Sequence, residues 1–410
     1  MSARKSSAAK ALCTLALHFM PQRAFAAFAS DFELHPANLR RRSGSPDRPA
    51  VWGPPRKRDS VPLIVSNNCG ETIWPGVGTQ AGTGPGIGGF ELDSGSSKDM
   101  TVGGDWQGRV WGRTNCSFAP GGLSASNLNG NNGGGAACGT GDCGGVLNCV
   151  NTGATPVSLA EFDLAGGVGG SQVFYDISLV DGYNIPIGIV FIPGDNPALQ
   201  DIPPNLTNCA CIATAGLVLP PAPSGEMGNS TNSSYPIPYE PTQTSDQIAS
   251  WCDGVYPYPD ANIQRPIFDP CYSECSKTNA PSDCCTGHYN DPNICKPNDY
   301  STSAKKICPD AYSFAFDDQT STFIIPSGGG WEVTFCPTGR STNILKTFKP
   351  QLEALSQAGH ATKQIKTDAM KVTIIMEGGK ENGADRSRGE GFGSASWGAL
   401  VVVVALAVLL

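Results

Sequence analysis

The amino-acid sequence predicts an all-β protein, and three observations lead to that class. Its 410 residues include 50 glycines and 33 prolines, which favour frequent turns over long helices. Several short runs are rich in β-branched and aromatic residues and alternate apolar with polar positions, as a strand with one buried face does. The 16 cysteines suit a loop-rich body held together by disulfides, provided that the chain is secreted.

The first 58 residues are predicted to be removed during export. Residues 1–30 match a secretory signal peptide, because basic residues precede an apolar run and a stretch of small residues follows. An amphipathic helix or a disordered tail is the alternative. Residues 31–58 are polar, rich in proline and arginine, and end in the basic triplet 56–58. We interpret them as a pro-segment that a furin-type or kexin-type enzyme removes.

The folded body begins with β-prone runs and a glycine-rich stretch. Three glycines within residues 79–89 fit the spacing GxGxxG, but no helix pattern follows, so a turn or loop is predicted and not a dinucleotide site. Downstream, Arg109, Trp111 and Arg113 share one strand parity, which places two cations around an aromatic on one face. A solvated strand face is the alternative.

The stretch 158–186 carries the residues of most interest. Its odd positions from Val173 to Leu179 are apolar and can face a core, which places Asp176 on the opposite face of the strand. Asp181 and Gly182 then form a pair that favours a tight turn. Glu161 lies on the preceding apolar segment, so two adjacent strands would gather three carboxylates in one cleft.

The cysteines are predicted to form disulfides. Cys138, Cys143 and Cys149 are separated by four and five residues, unlike the usual CxxC of zinc sites, and the secretory route is oxidising. No metal and no cofactor are expected. Residues 213–250 have little periodicity and predict a long loop, and residues 251–308 predict a disulfide-held knot of loops. Sequons that predict surface glycans occur at Asn115, Asn205, Asn229 and Asn232.

The C-terminus carries a second targeting signal. Residues 392–410 form a hydrophobic end whose apolar run is shorter than the roughly 20 residues that a spanning helix needs. Together with small residues at Asn382 and a polar spacer, this predicts a glycolipid-anchor signal with Asn382 as the lipid-bearing residue. A short membrane-embedded tail is the alternative. Residues 341–391 are polar and predict a tether. The expected location is therefore the cell surface or wall, attached to a membrane, and the net charge of −8 gives no sign of nucleic-acid binding.

Several motifs in order make the chain resemble thaumatin-like proteins, the family of the osmotins and of the group-five pathogenesis-related proteins. The resemblance covers Val61 to Pro337. The motifs are RVWGRTNC (109–116), CGTGDCGG (138–145), AEF (160–162), YDISLVDGYNIP (175–186), CCTG (284–287), CPDAYSFAFDD (308–318) and FCP (335–337).

The resemblance implies a fold: an antiparallel β-sandwich over 59–340, with an adjoining disulfide-rich loop subdomain over 209–308 and an acidic cleft between them. It also implies seven disulfides. The pairs are Cys69–Cys336, Cys116–Cys138, Cys143–Cys149, Cys211–Cys308, Cys252–Cys271, Cys275–Cys284 and Cys285–Cys295. The chain departs from the family over 321–325, where the usual cysteine is absent, so an odd thiol is expected at Cys209, or at Cys211 if the assignment is swapped.

The acidic-cleft set that the resemblance implies is Arg109, Glu161, Asp176, Asp181 and Asp317. In a glycoside hydrolase, Glu161 would protonate the glycosidic oxygen while Asp181 acts as base or nucleophile. An arginine-centred ionic network that ties the sandwich to the loop subdomain is the structural alternative.

Some relatives resemble endo-β-1,3-glucanases, while others only bind β-1,3-glucan, act as antifungal proteins or inhibit xylanases or proteases. Two functions therefore stay open. The first is a cell-surface hydrolase of wall β-1,3-glucan, and the second is a non-catalytic glucan-binding or defence protein. The aromatic residues near the cleft could either stack on sugar rings or lie buried in the core of the sandwich. They are Trp106, Trp111, Tyr175 and Tyr183.

Overall fold

The computed structural model describes residues 60–125, 135–217, 237–240, 244–253, 258, 268–337 and 339–370. Two five-stranded sheets make up its centre, as an all-β sequence predicts. The strands are β1 (Ser60–Asn67), β2 (Gly76–Ala81), β3 (Ser97–Gly103), β4 (Gln107–Trp111), β5 (Leu159–Gly166), β6 (Gln172–Ser178), β7 (Ile187–Ile192), β8 (Cys209–Cys211), β9 (Phe323–Pro326) and β10 (Gly330–Phe335). The helices are α1 (Pro197–Gln200), α2 (Ser245–Ser250), α3 (Glu274–Thr278), α4 (Asp299–Ile307), α5 (Asp318–Ser321), α6 (Ile344–Thr347), α7 (Lys349–Ala358) and α8 (Lys363–Ala369).

The first sheet has the strand order β3-β1-β10-β7-β8, and the second has β2-β4-β5-β6-β9. Neighbouring strands are antiparallel except for β1 and β10, which run parallel. Because β1 and β10 lie near the two ends of the sandwich sequence, their pairing brings those ends together at the centre of the first sheet.

Aromatic side chains fill the space between the sheets. Trp331 on β10 lies 5.4 Å from Phe162 and 4.5 Å from Tyr175, measured between ring centroids, so it joins the first sheet to the second. The buried hydroxyl of Tyr175 donates a hydrogen bond to the carbonyl of Thr207 at 2.7 Å. The predicted core-facing set from Val173 to Leu179 is confirmed, since all four odd positions are buried; Asp176 and Ser178 on the other face are buried as well.

The disulfides of the structure are the seven pairs that the resemblance implies, and Cys209 is a free, buried thiol on β8. The three glycines with GxGxxG spacing lie between β2 and β3 in a loop, as predicted, whereas residues 79–81 belong to β2. The cysteine-dense segment contains more regular structure than expected. Helix α4 begins after Asn298, whose side chain accepts a hydrogen bond from the Ser301 amide, and its lysines lie in the last turn.

The described part of the 213–250 loop is more ordered than the sequence predicts. Helix α2 begins with a capping box between Thr244 and Gln247, and it buries Ile248. Ile237 is also buried. Ile237 and Ile248 therefore belong to the hydrophobic core.

The expectation of a polar tether over 341–391 is wrong for its described part, which ends at Met370. Helices α6, α7 and α8 belong to the same compact unit as the sandwich. They bury one apolar stripe, composed of Ile344, Phe348, Leu352, Leu355, Ile365 and Ala369. Burial of this stripe, and not composition alone, decides the structure, because packing of an apolar face provides most helix stability.

This C-terminal segment binds the 213–250 loop and an edge of the first sheet. The Glu240 amide donates to the Ser341 carbonyl at 2.8 Å, and the Arg340 guanidinium lies 5.7 Å from the centre of the Tyr239 ring. The Thr342 amide donates to the carbonyl of Ala210 on β8 at 3.0 Å. The segment thereby covers an edge strand that would otherwise present unpaired backbone groups.

The predicted signal peptide, pro-segment and hydrophobic end, with Asn229, Asn232 and Asn382, lie outside the described residues. Among the residues that are described, no helix combines the length and the apolar character needed to cross a membrane.

Candidate functional site

Three side chains form a row across the outer face of the second sheet. Arg109 on β4 lies opposite Glu161 on β5, and Glu161 lies opposite Asp176 on β6. Their neighbours along the strands, such as Val110, Phe162 and Tyr175, are buried between the sheets, so strand alternation directs the row outward. We call Arg109, Glu161 and Asp176 the acidic row.

Arg109 and Glu161 form a partly exposed ion pair. The Nη2 atom of Arg109 lies 3.3 Å from Oε1 of Glu161, and the two side chains are 19% and 14% exposed. Solvent therefore reaches both groups. The pair gives the row a cation that can bind a hydroxyl and a carboxylate that can accept a proton or attack a carbon.

Asp176 is the most deeply buried member of the acidic row. Its exposed fraction is 5%, and within the described part of the chain its Oδ1 atom has no hydrogen-bond partner. Burial raises the pKa of this carboxyl well above its usual value, and the nearby charges of Glu161 and Asp318 add to the increase while Arg109 opposes it. The charged form of Asp176 is therefore disfavoured at this position.

Asp181 lies in the turn after β6, as predicted. Gly182 has a φ of 96°, and a Cβ at that position would lie 2.6 Å from the Cys271 carbonyl oxygen, so only glycine fits the turn. Burial raises the pKa of Asp181 to about 6, with Glu161 adding to the increase and Arg109 opposing it. Because Arg109 and Glu161 both act on it, Asp181 belongs to the same electrostatic site as the acidic row.

Asp317 is held by a different set of groups. Its Oδ2 atom accepts hydrogen bonds from the Ser313 amide at 3.1 Å and hydroxyl at 3.0 Å, and lies 3.0 Å from Nζ of Lys305. Its Oδ1 atom accepts one from the Thr320 hydroxyl at 2.5 Å. The carboxylate thus stabilises the loop before α5, and the structure does not show it bound to a member of the acidic row.

Sequence reasoning missed the residues that join this loop to the acidic row. The Tyr312 backbone pairs with the end of β6: its amide donates to the Ile177 carbonyl, and its carbonyl accepts from the amide of Leu179, the residue after β6, both at 2.8 Å. Its hydroxyl donates to Oδ1 of Asp318 at 2.7 Å. The motif that contains both residues is visible in the sequence, but only the fold shows which of its two aspartates faces the row.

Other residues singled out from the sequence lie away from this site. Arg113 is fully buried and donates to the carbonyl oxygens of Trp74, Pro75, Val146 and Leu147, so neither a cleft position nor a solvated face describes it. Burial lowers the pKa of its guanidinium to about 10. The four aromatics considered for sugar stacking are buried at 0–1% exposure and serve as core residues: Trp106, Trp111, Tyr175 and Tyr183.

The sequons also differ in their surroundings. Asn115 is exposed and fits a surface glycan. Asn205 is fully buried, and its Nδ2 atom donates to the Ala369 carbonyl at 2.7 Å, so a glycan at this nitrogen does not fit the fold. Within the described ranges, no group of three or more histidine, cysteine, aspartate or glutamate side chains could hold a metal ion.

The fold and the site define a class of protein: a β-sandwich with seven disulfides, a cysteine-rich loop subdomain and an acidic outer face. The model of the thaumatin family matches residues 67–337, which is more than half of the chain. The chain belongs to the thaumatin family.

Its similarity to individual members extends over most of their length. It is 38% identical to "Pathogenesis-related protein 5" of Arabidopsis thaliana over 277 residues, which cover 67% of this chain and 90% of the relative. It is 37% identical to "Pathogenesis-related thaumatin-like protein 3.5" of Cryptomeria japonica, covering 70% and 94% of the two chains. A protein named "Glucan endo-1,3-beta-glucosidase" from Prunus avium is 32% identical, with 67% and 90% covered.

Proposed function

We propose that the protein acts on β-1,3-glucan through the acidic row and Asp181, and that it is an endo-β-1,3-glucanase. The observation that carries the proposal is that one electrostatic site holds two carboxyl groups in different surroundings. Glu161 is paired with a guanidinium at 3.3 Å, while burial raises the pKa of Asp181 to about 6. Two carboxyl groups in different surroundings are the usual acid and base of a glycoside hydrolase.

The geometry favours roles opposite to those expected from the resemblance. Asp181 holds its proton in mildly acidic solution and is the proposed general acid that protonates the leaving oxygen. Glu161 in its ion pair is the proposed base or nucleophile. Arg109 binds Glu161 and orients it toward the sugar. Asp176 is the most deeply buried member of the row, and its raised pKa disfavours a second negative charge beside Glu161.

The Prunus avium relative supports the choice of substrate, because its name assigns it an endo activity on β-1,3-linked glucan. Seven disulfides fit an oxidising, extracellular compartment. We further propose that the secreted protein acts at the cell wall, attached to the membrane through the C-terminal signal at Asn382.

A non-catalytic glucan-binding or defence protein is the second candidate. It is favoured by the depth at which Asp176 and Asp181 are buried, at 5% and 7% exposure, since a recognition surface does not need reactive carboxyl groups in contact with solvent.

Reducing-end release and glucan pull-down, measured on the secreted full-length chain, distinguish the two candidates. The hydrolase predicts release that Asp181→Asn and Glu161→Gln both abolish, with glucan binding retained. The exposed Asp99 on β3 of the first sheet provides a matched control, and Asp99→Asn should leave release unchanged. If the wild type binds glucan in the pull-down but releases no reducing ends, the protein is a binding protein instead. If the wild type neither binds glucan nor releases reducing ends, the proposal is refuted.

A further inference from the structure

The acidic row does not end at Asp176. Strands β6 and β9 pair in register up to Tyr175 and Phe323, so continuing the register by one residue places Thr322 beside Asp176. The Thr322 hydroxyl and the Tyr312 hydroxyl lie 2.6 Å apart, and the Tyr312 hydroxyl donates to Asp318. Because the single phenolic proton goes to that carboxylate, Thr322 is the donor to Tyr312. A chain of hydrogen bonds thus extends the row toward α5.

Asp318 and Asp317 are adjacent in sequence but have different tasks. Asp317 accepts from Ser313 and Thr320 and pairs with Lys305, whose ammonium is itself partly buried. Asp318 is exposed, is bound by Tyr312, and is close enough to Asp176 for its charge to act on that carboxyl. Only Asp318 therefore combines access to solvent with proximity to the row.

An acidic cluster alone would not define a binding site, but the buried Oδ1 atom of Asp176 adds an independent observation. This buried polar atom has no hydrogen-bond partner within the described residues, and it belongs to the residue that the strand register places beside Thr322. Native proteins rarely leave such a group without a partner, and a ligand group that reaches it would supply one.

We propose that Asp318, and not Asp317, is the fourth acidic residue of the glucan site, and that Tyr312 is the positioning residue that holds its carboxylate there. Asp318 accepts a hydrogen bond from a sugar hydroxyl at the end of the row distant from Arg109. The inference rests on the proposed function, because the ligand is the same β-1,3-linked glucan.

Tyr312 is suited to positioning because it cannot easily move or ionise. Its ring is buried at 6% exposure, its backbone is paired with β6, and burial raises the pKa of its hydroxyl well above the usual value, with Asp176 and Asp318 adding to the increase. A neutral hydroxyl on a fixed ring holds one carboxylate oxygen of Asp318 and leaves the carboxylate able to accept a further bond.

The first test measures the affinity of a linear β-1,3-glucan hexasaccharide for the full-length secreted chain by calorimetry. Asp318→Asn should weaken binding about tenfold, the loss expected for one hydrogen bond to a charged group. Tyr312→Phe keeps the ring and should weaken binding in the same direction, with no further loss when it is combined with Asp318→Asn. Asp317→Asn should lower thermal stability and leave the affinity for the hexasaccharide unchanged. Asp99→Asn, the control, should change neither the affinity nor the thermal stability.

The second test does not depend on glucan. The Asp176 carboxyl faces Glu161, Arg109, Tyr312 and Asp318, and a carbon-13 NMR titration of aspartate-labelled protein reports its pKa. Removing the Asp318 charge should lower the pKa of Asp176, whereas Asp317→Asn should not.

The two tests separate the failure of this proposal from that of the proposed function. A wild type that does not bind the hexasaccharide refutes the proposed function, and with it the sugar contact of Asp318, while the titration still reports on its position. Binding by the wild type that Asp317→Asn weakens and Asp318→Asn does not would overturn the present assignment. Additive losses for the Tyr312 and Asp318 variants would overturn the role of Tyr312.

Discussion

Replacement of Asp181 by asparagine should stabilise the protein at neutral pH. The folded state raises the pKa of this carboxyl from 3.8 to about 6, a difference of about two pH units. At about 1.36 kcal/mol per unit, ionised Asp181 costs the folded state about 3 kcal/mol. Asparagine has nearly the same shape and carries no charge, so the variant avoids this cost.

The sign of the effect depends on pH. Between pH 3.8 and about 6 the folded state binds more protons at Asp181 than the unfolded chain does, so this group's contribution lowers the free energy of unfolding as pH rises. The stability difference between Asp181→Asn and the wild type should therefore be near zero below pH 3.8 and reach about 3 kcal/mol above the folded pKa. Comparing the variant with the wild type cancels the titration of carboxyl groups that do not interact with Asp181.

Guanidinium unfolding with the disulfides intact, followed by fluorescence at several pH values, measures this difference. A variant that is stabilised at neutral pH but inactive identifies a carboxylate kept for function at the expense of stability. If Asp181→Asn is instead destabilised at neutral pH, the carboxylate holds the fold together. The ionic-network interpretation would then be correct, and the reasoning about Asp181 would be refuted.

Three further predictions concern the rest of the fold. Phe348→Ala should lower the free energy of unfolding by about 3–5 kcal/mol because its ring is fully buried, whereas Met370→Ala, at a half-exposed position, should lower it little. If chemical unfolding shows equally small losses for the two variants, the segment is a tether after all. Maleimide labelling of the secreted protein without reduction should modify Cys209 only after denaturation, at about one thiol per molecule as the odd-cysteine count requires; labelling of the native protein would contradict its burial. Asn115→Gln should reduce the glycan mass seen by mass spectrometry while a glycopeptide at Asn205 should not be found, and a glycan at Asn205 would show that the loop around it is open.

Strand periodicity made the acidic row predictable in part. The alternation from Val173 to Leu179 fixed which face Asp176 occupies, and the Asp181-Gly182 pair identified the turn. Cross-strand register, however, depends on pairing between distant segments. Adjacent strands could be expected to gather Glu161 and Asp176, but the place of Arg109 beside them could be inferred only from the family resemblance.

The C-terminal helices were missed although the sequence carries their signal. Apolar residues at 344, 348, 352 and 355 follow helical spacing, and Gly359 adopts a left-handed conformation directly after α7. Low overall hydrophobicity obscured this pattern. The different partners of Asp317 and Asp318 could not be predicted. They depend on Lys305 and Tyr312, whose positions only the folded loop determines.

Release of reducing ends from linear β-1,3-glucan is the most direct test of the proposed activity. The secreted full-length protein and its Glu161→Gln variant would be compared in mildly acidic solution, where Asp181 retains its proton. We predict release by the wild type and none by the variant, with both folded and both bound to glucan. Equal release by the two proteins, or none by the wild type, would contradict the assignment of the acidic row as a catalytic site.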